Sequence, residues 1–496
     1  MKKTLITIVA FALCLPVFAD NLGGFEAENA VEFKAEKKEK KKKEVVYNDK
    51  GEIIKTGLNF GPLPVVAYDA DKGFQFGALL NIYNFGNGEK YPNYDSYWYF
   101  EASAYTGGSI RFDVKYDKLD IFPGVRLSAN VGYYKDILDF YGFNGYQTNY
   151  EPDHANLFYY TNPETKQGQK LQAKWDKLPE NVKPYQKGFY RHDRQMVRAK
   201  FDFTGEIVKN FYWEAGYSFG WIDIDDFLPT KKYSISYGNS ADDNAFDKDN
   251  SLSLFGLYKD WGIIKPLNSK KGAFDSNVRV GLMYDSRNVE NNPTRGIWAE
   301  AHTILAPKWL GTTDPYYKVS ATMRQYVPLG TEKVVFAYRL GYEGFLGKNT
   351  PWYMMPFYTN MGPKSDNDGY GGYRTVRGLM LNRVQAPHVG FYNIEVRYRF
   401  IDFKLWKQNI AFAISGFTDG ISVFNGYDLT NKNEVKNDLY TQFIDTNKSL
   451  SAIHGSAGAG LRFIMNENFI VAFEYAHCFK QQDGKGAFYM NIGFLF

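Results

Sequence analysis

Residues 391–400 read FYNIEVRYRF, and this stretch decides the class of fold. Its apolar positions are Tyr392, Ile394, Val396, Tyr398 and Phe400, and its polar positions are Asn393, Glu395, Arg397 and Arg399. A period of two residues predicts a β-strand, because successive strand side chains point to opposite faces. One face is largely aromatic and the other is charged. This combination favours a strand with lipid on one side and a polar lumen on the other.

The same alternation recurs along the chain, at residues 110–117, 197–206 and 213–221 among others. About 16 strands are predicted from residue 57 onward, an even number as expected for an outer-membrane barrel. A weak strand near 137–143 would change that count. The long polar stretches at 144–188, 225–274, 348–390 and 426–453 predict extracellular loops. The sequence therefore predicts an all-β, transmembrane antiparallel β-barrel.

Composition excludes several classes of protein. The chain has 496 residues, 18% of them aromatic, and a mean hydropathy of −0.43, which excludes a bundle of membrane helices. The net charge of +4 is too small to favour a nucleic-acid partner. The six histidines are scattered, and the sequence contains no HExxH, Walker A or GxSxG motif. We therefore predict no enzymatic activity, no catalytic residue, no metal site and no cofactor.

The N-terminus predicts export. Residues 1–19, MKKTLITIVAFALCLPVFA, have the charged start, apolar core and small final residues of a cleaved signal peptide. Residues 20–56 form a short charged periplasmic segment with the run KAEKKEKKKKE at Lys34–Glu44. This run is either a solvated linker or a basic arm that touches anionic lipid, a partner or the lumen. Residues 57–496 form the predicted barrel.

The final strand carries a further signal. Five apolar residues are predicted to share one face of it: Phe488, Met490, Ile492, Phe494 and Phe496. An aromatic residue at the end of an amphipathic strand resembles the recognition signal of outer-membrane proteins. Phe494 and Phe496 are therefore the candidate residues of a C-terminal signal.

Three motifs occur in a fixed order: MYDSRNVENNPTRGIWAEAH at 283–302, GYGGYRTVRGL at 369–379 and GFTDGISVF at 416–424. Together they resemble the outer-membrane assembly-factor superfamily, the BamA/TamA-type or bacterial surface antigen barrels. The resemblance implies an inward-folded sixth extracellular loop. It also assigns a turn motif to five residues: Asp285, Arg287, Pro293, Arg295 and Gly296.

The loop motif has a physical interpretation. Arg377 carries a permanent charge on a planar fork that suits carboxylates, and the alternation turns Asp419 and Glu395 toward the lumen. If the loop folds inward, Arg377 can reach either carboxylate and pin the loop, with Val376 and Gly378 beside it. The alternative is an exposed arginine. The sequence departs from the family pattern at Leu379, which replaces an aromatic residue, and at Gly420, which follows Asp419 directly.

The resemblance also implies a barrel that closes between its first and last strands, at a seam that can open sideways. Pro62 and Pro64 lie near the first strand and lack backbone N–H donors. If both face the last strand, they weaken the seam; alternatively, the strand starts only at Val65. Family members usually carry periplasmic POTRA domains, and residues 20–56 are too few for one, so a barrel-only member is expected.

These observations predict a protein of the Gram-negative outer membrane that assists insertion or translocation of proteins or lipids through a plugged lumen and a lateral seam. The alternatives are a pore and a structural or docking barrel. The expected partners are outer-membrane lipid, client outer-membrane proteins or lipoproteins, and further copies or accessory subunits.

Overall fold

A computed structural model describes residues 53–91, 93–152, 189–226, 253–267, 271–362, 367–405, 408–435, 438–467, 469–492 and 495–496. The predicted signal peptide and the Lys34–Glu44 run lie outside the described residues.

Eighteen strands occur in the described residues: β1 (Leu58–Asp69), β2 (Gly73–Asn84), β3 (Ser96–Tyr105), β4 (Ile110–Phe122), β5 (Val125–Asp139), β6 (Arg191–Val208), β7 (Phe211–Asp226), β8 (Ala273–Asp285), β9 (Gly296–Ala306), β10 (Tyr316–Pro328), β11 (Val334–Leu346), β12 (Phe357–Tyr358), β13 (Asn367–Asp368), β14 (His388–Leu405), β15 (Gln408–Asn425), β16 (His454–Met465), β17 (Phe469–Cys478) and β18 (Ala487–Ile492).

All of these strands except β12 and β13 form one closed antiparallel barrel. The prediction of about 16 barrel strands is therefore confirmed. No separate strand occurs near 137–143, because β5 continues to Asp139. Among the described residues, two short α-helices, α1 (Leu254–Asp260) and α2 (Asp438–Phe443), lie in the connections. Among the described residues, no helix has the length and apolar character needed to span a membrane.

The alternation in β14 sorts its side chains to the two sides of the barrel wall. Ile394, Val396 and Tyr398 are exposed on the outside, whereas Asn393 and Glu395 are buried in the lumen. An apolar outside with a polar inside is the reverse of a water-soluble protein and is the pattern of a membrane barrel.

An apolar cluster, here called the cap, covers the loop end of the barrel. It joins side chains from the ends of the strands and from four connections, including Phe140, Phe143, Phe255, Tyr258, Trp261, Trp352, Phe357, Leu429 and Phe443. The sequence predicted polar loops here. The described parts of those loops instead fold together, because aromatic residues such as Tyr258 and Trp261 bury their rings against one another.

Candidate functional site

Loop six connects β11 to β14, and its described residues, 347–362 and 367–387, include segments that pack inside the lumen. Val376 and Leu379 are fully buried, and they belong to an apolar cluster with Phe391 and Ile421 of the barrel wall. The prediction of an inward-folded sixth loop is therefore confirmed. The fold brings the VRG motif of loop six against the lumen faces of β15–β18.

Arg377 lies at the centre of this contact and is fully buried. Its guanidinium binds the Asp419 carboxylate in a bidentate manner, with Nε donating to Oδ2 at 2.8 Å and Nη2 donating to Oδ1 at 3.0 Å. The backbone N–H of Arg377 also donates to Asp419, at 3.0 Å. The guanidinium lies 3.4 Å from the ring centre of Phe417. Both charge and shape therefore fix the position of the loop.

Two further carboxylates complete the arginine site. Arg377 Nη1 donates to Glu395 Oε2 at 2.9 Å and to Glu474 Oε1 at 2.8 Å. Arg462 bridges the same two carboxylates, and Arg397 donates to Glu395 at 2.8 Å. Three guanidinium groups thus face three carboxylates in a buried network, which we call the lock.

Desolvation makes a buried network costly to form, but it also makes the network costly to break. Removing one member leaves uncompensated charge in the lumen, a loss of about 3–5 kcal/mol for buried pairs in general. The lock therefore favours one geometry of loop six.

Gly378 allows loop six to approach the wall closely. Its φ of +93° lies in the left-handed region, and a Cβ there would lie 2.9 Å from Cβ of Ala476. Its N–H donates to the Tyr489 hydroxyl at 3.0 Å, and its carbonyl accepts from the Cys478 thiol at 2.9 Å. Loop six is thereby attached to β17 and β18.

On the other side of the seam, loop six contacts the turn between β1 and β2. The N–H of Leu381 donates to Asp71 Oδ1 at 3.0 Å. Burial and the neighbouring Asp69 carboxylate raise the pKa of Asp71 well above its usual range. Through Asp71 and Tyr489, loop six bridges both edges of the seam at the loop end of the barrel.

The seam itself is short. β1 pairs with β2 along all twelve of its residues, whereas among the described residues, which omit 493–494, its register with β18 pairs only Tyr68 with Met490. β1 begins at Leu58, so Pro62 and Pro64 lie within the strand, and the alternative start at Val65 is wrong. The N–H of Phe85 donates to the Gly57 carbonyl. Alternation along the strand therefore turns the backbone groups of the even positions, including both prolines, toward β18.

The prediction that Phe496 shares one face with Phe488 is wrong. Phe488 is exposed on the outside. Phe496 is buried in the lumen against Tyr326, Val335 and Ala337, and its carbonyl accepts from Arg397 Nη2 at 3.0 Å. Phe494 lies outside the described residues. Strand periodicity does not reach Phe496 because β18 ends at Ile492.

The turn motif lies at the opposite end of the barrel, between β8 and β9. Arg287 binds the Asp285 carboxylate with two hydrogen bonds, Nε donating to Oδ1 at 2.9 Å and Nη2 donating to Oδ2 at 2.6 Å. The guanidinium of Arg287 lies 4.0 Å from the ring centre of Trp298. Gly296 has a φ of +108°, and a Cβ there would lie 2.3 Å from the Ser286 carbonyl oxygen.

The two remaining members of the turn motif differ in environment. Pro293 is buried, whereas Arg295 is exposed and lies 3.9 Å from Glu332. The turn reaches across the mouth of the barrel, where Asn292 donates to Glu467 of the β16–β17 turn. It therefore stands apart from the lock.

The opposite wall of the lumen is also charged, but loop six leaves part of it without contacts. Glu214, Gly281, His302 and Ser320 follow one another across β7–β10. Among the described residues, both ring nitrogens of His302 and one carboxylate oxygen each of Glu214 and Glu300 have no hydrogen-bond partner. We call Glu214, Glu300, His302 and Ser320 the open wall. None of the His, Cys, Asp and Glu groups in the described ranges is arranged to hold a metal ion.

Sequence reasoning missed several members of the site. Glu474 and Arg462 lie on the lumen faces of β17 and β16, so strand alternation could have identified them. Arg383 of loop six could not be found in this way. It donates to the carbonyls of Gly145, Thr148 and Gln482, and so ties loop six to two other loops.

Comparison with known proteins gives a consistent result. The model of the Omp85 superfamily domain matches residues 123–496. Among solved structures, BamA from Haemophilus ducreyi lacking POTRA domains 1–3 is 16% identical, with a TM-score of 0.49 over 88% of this chain and 70% of that one. CdiB from Escherichia coli is 9% identical, with a TM-score of 0.50 over 90% of this chain and 66% of that one. This second likeness shows a shared fold. Among curated proteins, no sequence matches this chain.

Proposed function

The chain belongs to the Omp85 superfamily of outer-membrane β-barrels, and from this premise we propose that it assists insertion or translocation of proteins or lipids at the bacterial outer membrane. The observation that carries the proposal is the pairing of a locked lumen with a short seam. Loop six obstructs a straight path through the barrel. Within the described part of the wall, the least-paired boundary lies between β1 and β18. The seam is therefore the route that we propose for a client.

The proposal extends to the export and partners of the protein. We propose that residues 1–19 are removed on export and that residues 20–56 remain in the periplasm. Outer-membrane lipid would contact the apolar outer face, and clients would be outer-membrane proteins or lipoproteins. Further copies or accessory subunits would assist. N-terminal sequencing of the mature protein tests the cleavage.

Depletion in the native host tests the function. Quantitative proteomics of the outer membrane should show that many barrels or surface lipoproteins decrease together. If none decreases, the protein is not an assembly factor, and a docking role is favoured instead.

A disulfide bond across the seam tests the route of the client. Tyr68→Cys with Met490→Cys places thiols on residues directly opposite across the seam. Phe76→Cys with Ala104→Cys does the same across β2 and β3, and serves as the matched control. Cross-linking the seam pair should abolish complementation of the depleted strain, whereas cross-linking the control pair should not. Full complementation by both would exclude lateral opening.

A regulated pore is the second candidate, and the open wall favours it. An unpartnered buried polar group costs about 1–3 kcal/mol unless water reaches it. The groups of Glu214 and His302 therefore favour a hydrated half of the lumen. Conductance in planar bilayers separates the two candidates: a plugged barrel should conduct little, and high resting conductance would favour the pore.

A further inference from the structure

Residues 53–57, here called the strap, precede β1, and Ile53 at their start is held by the side chain of Asn409. The N–H of Ile53 donates to Asn409 Oδ1 at 3.1 Å, and Asn409 Nδ2 donates to the Ile53 carbonyl at 3.2 Å. Both residues are buried, with 6% and 7% of their surfaces exposed. The amide of Asn409 thus pairs with the strap as a backbone peptide group would in a strand ladder.

The strap joins two distant parts of the barrel wall. Its C-terminal end leads into β1, whereas Asn409 lies at the start of β15. In barrel order, β16, β17 and β18 separate those two strands. The strap therefore crosses beneath the seam at the turn end of the barrel.

The neighbouring turn between β2 and β3 supports this bridge. The N–H of Gly57 donates to the Gly86 carbonyl at 2.8 Å. The hydroxyl of Tyr91 donates to the Asn466 carbonyl at 3.4 Å, and Asn466 exchanges hydrogen bonds with Asn409. The contacts of the strap thus link β1 and β2 to β15 and β16 without passing through the seam ladder.

We propose that the strap holds the turn end of the seam closed, and that release of Ile53 from Asn409 regulates opening of the seam. This inference rests on the proposed function, in which the seam is the route of a client. Loop six bridges the loop end of the seam through Asp71 and Tyr489. The strap supplies the second tether, at the end where β18 leaves the wall.

The two tethers are anchored differently. The lock fixes loop six to one side of the seam, and the bond between Leu381 and Asp71 carries it to the other side. The strap reaches across through the two neutral hydrogen bonds between Ile53 and Asn409. A single substitution at Asn409 can therefore test the strap without disturbing the lock.

Hydrogen–deuterium exchange of the full-length protein in lipid nanodiscs, without client, tests the proposal. Asn409→Ala removes both hydrogen bonds between Ile53 and the Asn409 side chain. It should accelerate amide exchange in Leu58–Val66 by about tenfold, because two neutral hydrogen bonds are lost. Asn130→Ala is the matched control. Asn130 is equally buried, but it lies on β5 and donates to Asp113 at 2.6 Å, so exchange in β1 should not change.

A reversible restraint distinguishes strap release from misfolding. Ile53→Cys with Asn409→Cys, joined by a short thiol cross-linker, should restore slow exchange in β1, and the uncross-linked form should exchange rapidly. Equal exchange of β1 in wild-type protein, Asn409→Ala and Asn130→Ala would overturn the proposal. Because no client is present, this result is independent of the depletion experiment, and either hypothesis can fail alone.

Discussion

Two walls of the same lumen carry similar side chains but use them differently. In the lock, Glu395, Asp419 and Glu474 all bind the guanidinium of Arg377. On the open wall, Glu214 and His302 are equally buried. Within the described chain, however, one carboxylate oxygen of Glu214 and both ring nitrogens of His302 have no hydrogen-bond partner. The difference is the arrival of loop six. A lumen charge fixes structure only where a counter-charge from another segment reaches it.

The two walls should therefore differ in their sensitivity to substitution. A buried charge with several partners is costly to lose, because its partners stay behind unpaired. A buried polar group reached by water can change with little cost. Four predictions, from the largest expected effect to the smallest, test this contrast.

The largest effect is expected for Arg377→Ala. The substitution leaves Asp419, Glu395 and Glu474 buried without Arg377, so we expect a loss of about 3–5 kcal/mol in the free energy of unfolding. Released loop six should also raise conductance. Heat-modifiable migration in gels measures the first effect, and planar bilayer recording measures the second.

Arg377→Lys is the control for this substitution. It keeps the charge but cannot form the two-pronged contact with Asp419, so its stability and conductance should be intermediate. If Arg377→Ala has the same unfolding temperature as the wild-type protein, the lock does not stabilise the loop.

The second prediction applies one substitution to both walls. Glu395→Gln removes a carboxylate that faces Arg377, Arg397 and Arg462, and should cost about 3 kcal/mol. Glu214→Gln removes a carboxylate that is repelled by Glu300 and Asp202, and should change stability by less than about 1 kcal/mol. Thermal unfolding of both variants in the same detergent provides the comparison. Equal losses would contradict the distinction between the walls.

The sequence predicts which side of the barrel wall a residue faces better than it predicts which residues it contacts. Alternation placed Glu395 and Asp419 in the lumen, because strand geometry fixes the side of each residue locally. The same rule could have placed Glu474 in the lumen, but the contact of Glu474 with Arg377 spans 97 positions of sequence and depends on where loop six comes to rest. Periodicity cannot supply that information.

The errors have the same origin. Periodicity extended β18 to Phe496, whereas the chain turns into the lumen, where Arg397 and a pocket of apolar side chains hold Phe496. The cap was missed because its residues are scattered over several loops and become an apolar core only when those loops meet. In both cases a tertiary contact decided the structure.

The third prediction concerns pH. The pKa of Asp71 is raised in the folded protein by burial and by Asp69, so the folded state favours the protonated acid. Ionisation of the buried Asp71 should therefore destabilise the protein as the pH rises from the ordinary aspartate range through the raised pKa, and the N–H of Leu381, which donates to the carboxylate, offsets part of this cost. Asp71→Asn should remove that part of the pH dependence and stabilise the protein at neutral pH. Unfolding temperatures between pH 4 and pH 8 would test it, and an unchanged profile in Asp71→Asn would exclude Asp71 as the cause.

The smallest effect is expected for Pro62→Ala combined with Pro64→Ala, which restores two N–H donors toward β18. The register that pairs Tyr68 with Met490 would place position 496 opposite Pro62, but Phe496 is held in the lumen by Arg397. The new donor at position 62 therefore lacks an acceptor on β18 among the described residues, and the loss of two prolines should lower stability by about 1–2 kcal/mol through the entropy of the unfolded chain. In an Arg397→Gln background, Phe496 is released and can return to the seam, so the same alanine pair should slow amide exchange in β1. If the alanine pair slows exchange equally in the wild-type background, the lock does not compete with the seam for the end of the chain.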